Sequence, residues 1–323
     1  MKTALFRFAC VAACTIAPLV SQAQDNYPSR PVKILVGYSA GGATDVHART
    51  MAEGLTKRLG QSFIVENRPG AAGMLAAQTL ANSPADGYLL MMATSGAMAI
   101  PQNFGKLPYD PARDFVPVAQ TTTNDLVMVV NNKSPVTNFA EFVKSVKAEP
   151  GKYSYGVSGR GSITHIAGER LKHELGLDLT LVPYRGDSAA MADTLGGSLP
   201  YSFVALSSIG SSVQAGSVRP LFVTGSKRLR HFPNIPTLTE LGQRDFVMSS
   251  WIALFAPAST PQPIVQKLAD NIRQVMADPE VIERLEKTGA RVEYRNSEEL
   301  KAFVGVEIKR FAEIIKAADI RAE

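Results

Sequence analysis

The segment Gly37-Tyr38-Ser39-Ala40-Gly41-Gly42-Ala43-Thr44-Asp45 sets small residues, hydroxyls and one carboxylate just ahead of a stretch with helical spacing. Adjacent glycines let the backbone turn tightly and approach a ligand with no Cβ in the way. Thr44 or Asp45 is placed to cap the helix. Unpaired amides at a helix start, with the dipole behind them, favour an anion by ~0.3–1 kcal/mol. The chemistry this predicts is anion binding through main-chain groups. A glycine turn that only packs strand on helix is the competing reading.

A counterpart lies further along, Gly156-Val157-Ser158-Gly159-Arg160-Gly161-Ser162-Ile163-Thr164-His165, again between a strand and a helix, with Ser162 at the N-cap position. Arg160 has the donor fork for bidentate pairing with a carboxylate; a solvated loop arginine is the plainer alternative. Thr94-Ser95-Gly96 and Tyr184-Arg185-Gly186 follow two more strands and would line the same ends of their sheets. In open α/β sheets ligands bind at the carboxyl ends of strands. Two such loops facing each other would hold a small acidic ligand.

Other chemistries fit less well. Gly37-x-Ser39-x-Gly41 matches the nucleophile elbow of serine hydrolases. The serine follows the first strand, however, so no earlier strand loop could supply the second oxyanion donor. A base would have to come from His165, His173 or His231. A secreted esterase using Ser39 is the runner-up reading. Gly159-Arg160-Gly161 lacks the third glycine of a dinucleotide fingerprint, and no phosphate-loop run occurs. Four scattered histidines argue against a transition-metal site, and Asp45 and His47 are too close in sequence to share a helix face. No cofactor or metal is expected.

Alternating elements must position these loops. Val32 to Gly37, Phe63 to Glu66 and Tyr88 to Ala93 read as apolar strands, with helices over Val46 to Leu59 and Ala71 to Ala81 between them. The second half repeats the style, with strands at Tyr153 to Val157, Leu179 to Tyr184, Tyr201 to Ala205 and Pro220 to Thr224, and a helix from Ile163 to Leu175. Further helices are expected from Phe139 to Val146, Ile264 to Met276, Pro279 to Lys287 and Glu298 to Ala318, two of them opened by Asn138/Glu141 and Asn296/Glu299. Apolar strands alternating with helices predict an α/β fold with mixed sheets flanked by helices. Ala119 to Val130 and Phe246 to Ala256 read as crossings between two lobes, residues 25–125 plus 250–323 and residues 126–249, with the ligand cleft between them.

The first residues read as a leader. Lys2 and Arg7 precede an apolar run from Phe8 to Val20, and Ser21-Gln22-Ala23 fits a signal-peptidase site. The run is shorter than the ~20 residues a spanning helix needs. Export to the periplasm with cleavage after Ala23 is the expectation; Val11-Ala12-Ala13-Cys14, a loose lipoprotein box, is the alternative. The chain of 323 residues has net charge +5, and losing Lys2 and Arg7 leaves +3 on 300 residues. That is too mild to predict nucleic acid or anionic membrane as a partner. Both cysteines fall in the leader, so the mature chain would carry no disulfide.

The chain resembles the periplasmic solute receptors of tripartite tricarboxylate transporters, the TctC or Bug family. The resemblance rests on Arg30-Pro31-Val32-Lys33, Ala40-Gly41-Gly42-Ala43-Thr44-Asp45, Glu66-Asn67-Arg68-Pro69-Gly70-Ala71, Asp86-Gly87-Tyr88 and Pro108-Tyr109-Asp110-Pro111. It continues through Val182-Pro183-Tyr184-Arg185-Gly186 and Ile235-Pro236-Thr237. It implies a two-lobed Venus flytrap of the type II binding-protein class, monomeric, that closes on a carboxylate without chemistry and delivers it to permease subunits or to a sensor ectodomain. Carried over, the ligand would meet Tyr38, Ser39, Ala40, Gly41, Gly42, Thr44, Asp45 and Ser95 on one side. Ser158, Gly159, Arg160, Ser162, Thr164, His165 and Tyr184 would face it from the other. Met74, Pro200 and Phe203-Val204-Ala205-Leu206-Ser207-Ser208 depart from the family pattern by losing an amide and acids. These replacements imply a more apolar pocket and a di-/tricarboxylate or aromatic acid rather than an amino acid.

Overall fold

The computed structural model describes residues 26–321. The expected signal peptide, its cleavage after Ala23 and the alternative at Cys14 lie outside the described residues. The fold is mixed α/β. Among the described residues ten strands form, β1 Val32–Val36, β2 Phe63–Asn67, β3 Leu89–Thr94, β4 Phe115–Asn131, β5 Ser154–Val157, β6 Thr180–Pro183, β7 Tyr201–Ala205, β8 Val218–Val223, β9 Ser249–Pro257 and β10 Ala290–Arg295.

One strand threads the molecule. Through Asp125, β4 runs antiparallel to β9 and β10, and β9 joins the parallel set β3-β1-β2. From Leu126 onward β4 instead pairs antiparallel with β7 and β8, and β7 leads to parallel β5 and β6. Side chains of a strand alternate between faces, and β4 obeys this: Leu126, Met128 and Val130 join one buried cluster while Val127 and Val129 join another. β1 is buried at Val32, Ile34, Leu35 and Val36, as a strand covered on both faces must be.

Helices match the sequence reading closely where glycine or a cap punctuates them. Ala43–Leu59 stops at left-handed Gly60, and Ile163–Leu175 is capped by Ser162 and stopped at Gly176. Ser297–Ala317 opens with a complete Asn296/Glu299 capping box. One expectation needs correction, and two elements were not expected. The helix expected from Ala71 begins only at Met74, because Ala71 and Ala72 adopt φ of 46° and 51° in a tight 3-10 turn. Helix Asp187–Gly196, made largely of small residues, carried no clear period. Strand β10 buries only Ala290 fully, so no alternation announced it.

Candidate functional site

The first glycine loop leaves β1 where Gly37 lies against the Gly70–Gly73 turn; a Cβ at Gly37 would sit 2.4 Å from Gly73 Cα. Neither Thr44 nor Asp45 caps the following helix. Gly42 is the N-cap, without a side-chain bond. Asp45, in the first turn, reaches back: its Oδ2 accepts from Gly41 N–H at 2.9 Å and from Arg49 Nε at 3.0 Å, and its Oδ1 accepts from Asn67 Nδ2 at 2.9 Å. Burial alone would raise this carboxyl, but the donors of Arg49, Gly41 and Asn67 hold it below its ordinary value. Asp45 is a brace for the loop. Tyr38 donates to the Ala72 carbonyl at 2.9 Å and lies 3.0 Å from Thr94 Oγ1, and burial pushes its phenol up to about 12.

The second loop is bound mostly to itself. Thr164 Oγ1 accepts from Ser158 N–H at 3.0 Å and lies 2.9 Å from Ser158 Oγ and 2.8 Å from Ser162 Oγ. Ser162 Oγ caps the helix by accepting from His165 N–H at 3.2 Å. His165 Nδ1 accepts from Gly161 N–H at 3.1 Å, which puts the ring proton on Nε2. Burial lowers His165 to about 4, so the ring stays neutral and braces the loop.

The loops of the two sheets meet. Ser39 N–H donates to the Arg185 carbonyl at 3.1 Å, and Gly186 packs so closely that a Cβ there would lie 2.7 Å from Ser39 Oγ. Beneath this contact is a cavity of about 30 Å³. From the first sheet it is lined by Tyr38, Gly42, Ala43, Thr44 and Thr94, and from the second by Ser158, Ile163, Thr164, Asp187 and Ala205. Asn124, Leu126, Ser250 and Ile252 of β4 and β9 form its floor. The first N–H groups of an α-helix lack intrahelical acceptors. Two helices therefore offer such groups here, at Ala43–Thr44 and Ile163–Thr164.

Of the expected site residues, Tyr38, Gly42, Thr44, Ser158 and Thr164 line the cavity. Ser39 and Ala40 stand at the contact above it, and Gly41, Asp45, Gly159, Ser162 and His165 shape the loops around it. Ser95 is fully buried one residue beyond lining Thr94. Arg160 is exposed, and Tyr184 turns its hydroxyl to Asp193 Oδ2 at 2.6 Å, away from the lining. Asn124, Ser250 and Asp187 were not anticipated. Their signal was present: a polar run, Gln120 to Asp125, and paired serines, Ser249-Ser250, within the two crossing strands, and an acid directly after Tyr184-Arg185-Gly186.

Ser39 Oγ lies 3.0 Å from Ser188 Oγ, while the buried histidines are committed elsewhere, His165 to Gly161 and His47 to Thr122. A larger open groove of about 1040 Å³ runs between helices Gln262–Met276 and Ser297–Ala317 on the outer face. It receives neither glycine loop, so the interloop cavity is the candidate site.

The profile of the tripartite tricarboxylate transporter family receptor matches residues 47–320. Protein BugT of Bordetella pertussis is 32% identical over 308 residues, covering 95% of this chain and 94% of its own. Among solved structures, a Rhodopseudomonas palustris protein with adipate is 32% identical at TM-score 0.89, covering 91% of this chain and 99% of its own. The periplasmic binding protein BugD is also 32% identical, at TM-score 0.88, covering 91% and 99%. MatC of Rhodopseudomonas palustris with bound malate is 30% identical at TM-score 0.84, covering 90% and 100%.

Proposed function

The chain belongs to the tripartite tricarboxylate transporter receptor family, and from that premise we propose that it captures a small organic carboxylate in the periplasm and hands it to the permease subunits of such a transporter. The observation that carries this reading is the convergence of two helix N-termini, one from each sheet, on a single cavity lined by hydroxyls and a backbone-rich loop. Main-chain amides at helix starts suit a carboxylate without any cationic side chain. Relatives solved with adipate and malate support the ligand class. In this reading the two lobes are residues 25–125 plus 250–323 and residues 126–249, hinged where β4 and β9 cross, and the exported chain works as a monomer.

The cavity has room for one or two waters. A four-carbon acid enters only if the Ser39 and Gly186 loops part, and it then occupies widened space between them. Ligand specificity therefore rests on how the lobes close as well as on which groups line the site.

Thermal unfolding of the mature chain, refolded to strip carried ligand, tests the reading with a panel of mono-, di- and tricarboxylates, aromatic acids and amino acids. A ligand at ~100 times its Kd adds ~2.7 kcal/mol. The expected result is a midpoint shift of ~4 °C confined to a few acids. Absence of any shift across the panel overturns the proposal.

A further inference from the structure

Asp187 begins helix Asp187–Gly196 and is the one carboxylic acid among the residues lining the cavity. Its Oδ2 accepts from Ala205 N–H at a long 3.4 Å, and its Oδ1 is buried without a partner. No lysine, arginine or histidine lines the cavity. The groups that face this carboxyl are the Tyr38 phenol from the first glycine loop, Ser158 from the loop after β5, Ser208 from the turn after β7 and the Ala205 amide. Tyr38 is the one titratable group among them, and none carries a charge near neutrality. Asn124 in the cavity floor leaves its Oδ1 unpartnered and donates through Nδ2 to Thr122 Oγ1 at 3.4 Å, and it carries no charge that would offset an ionised acid.

An ionised acid here would have the Ala205 amide and the Ser208 and Ser158 hydroxyls beside it but no cation to offset its burial, a costly arrangement that proteins relieve by neutralising the group. A carboxylate ligand would add a second negative charge beside it and sharpen the conflict. Two acids in close contact are stable when they share one proton. Burial pushes Asp187 up to about 6, within reach of that solution.

We infer that Asp187 meets the ligand in its protonated form and donates through its free carboxyl oxygen to an acceptor oxygen on the ligand. The receptor then takes up its anion together with one solvent proton. This rests on the carboxylate reading above and narrows it. The favoured acid carries a second acceptor group, such as another carboxylate, against Asp187. A zwitterion that would place an ammonium there is disfavoured, because the protonated carboxyl would lose its role.

Titration calorimetry of the mature protein tests this with succinate, malate and adipate against aspartate and glutamate, at pH 5.5 and 7.5 and in buffers of different ionisation enthalpy. The native protein is expected to take up close to one proton per ligand at pH 7.5. Its affinity should fall about twenty-five-fold more than that of Asp187→Asn between the two pH values; titration of the ligand itself is common to both proteins and cancels. The amide of Asp187→Asn is neutral and still donates, so dicarboxylate binding should persist in it. Equal pH dependence in the two proteins, or no proton uptake by the native protein, overturns the proposal. So does tighter binding of aspartate than succinate that is lost in Asp187→Asn, which would mean an ionised Asp187 gripping an ammonium. Proton uptake is read on the native chain and does not depend on the variant folding. Failure of every acid to bind either protein would remove the carboxylate reading itself, and this proposal with it.

Discussion

Ser39 and Ser188 face each other across the mouth of the cavity with hydroxyl oxygens 3.0 Å apart, and Ser188 Oγ also donates to the Ala40 carbonyl at 3.0 Å. With the bond from Ser39 N–H to the Arg185 carbonyl, they form a small polar latch between loops of different sheets. Such contacts are worth about 0.5–1.5 kcal/mol each. They are weak enough to open for a ligand and specific enough to define one closed arrangement.

Gly186→Ala tests the latch. Gly186 has φ of 145°, a region that side chains avoid, and its Cβ would press on Ser39 Oγ. Closure should be impaired, with ligand affinity falling about tenfold, or ~1.4 kcal/mol. Ser188→Ala should cost less. Calorimetric Kd values of both variants check the order; equal affinity in Gly186→Ala and the native protein would refute it.

Asp125 and Arg291 clamp the point where β4 changes sheets. The Asp125 side chain is fully buried and receives both Arg291 guanidinium nitrogens, and Ser249 Oγ donates to it at 3.1 Å. Burial raises this carboxyl even against Arg291. Arg291→Met would leave a buried acid without its cation. Because Arg291 is a third exposed, the expected loss is about 2–3 kcal/mol, below the range for fully buried pairs. Urea midpoints of Arg291→Met and native protein measure it.

Two buried histidines predict an acid-sensitive fold. Burial lowers His165 to about 4 and His47 to about 3, from an ordinary value of 6.5. The unfolded chain therefore binds more protons below pH 6.5. Their contribution is fully present above that pH and is lost as pH falls toward 4 and then 3, by about 3 kcal/mol for His165. His165→Gln should flatten the stability profile between pH 6.5 and 4, measured by denaturant unfolding at each pH.

Asp187 acts in the opposite sense on the unliganded protein. Its folded value of about 6 exceeds the ordinary 3.8, so the native state binds more protons and stability falls as pH rises from 3.8 to 6. Above that window the cost is about 3 kcal/mol. Asp187→Asn is expected to unfold at a higher temperature than the native protein at pH 7.5 and to lose that advantage at pH 4. A variant less stable at pH 7.5 would contradict this account.

Local chemistry made much of the fold legible. Gly60 and Gly176 end helices because a left-handed residue satisfies the last carbonyls, and Ser162 and Asn296 begin helices because their side chains accept from free amides. These are interactions over a few residues, so their spacing carries them. Ala71 and Ala72 misled because nothing in two alanines announces a left-handed turn; the turn is held by Gly73 against Gly37 and by Tyr38 on the Ala72 carbonyl.

The same division holds at the site. Sequence by itself established the two glycine loops, their strand-to-helix settings and the polar crossings, since each is a contiguous signal. Tertiary structure alone decided that Asp45 and His165 brace loops, that Arg160 stays in solvent, and that Asn124, Ser250 and Asp187 share a cavity with Thr44 and Thr164. Those relationships join residues up to about two hundred positions apart through the shared strand β4 and the meeting of two sheets. Local spacing holds no record of which buried carboxyl ends without a counter-charge; that is set only when distant elements pack and exclude water from it.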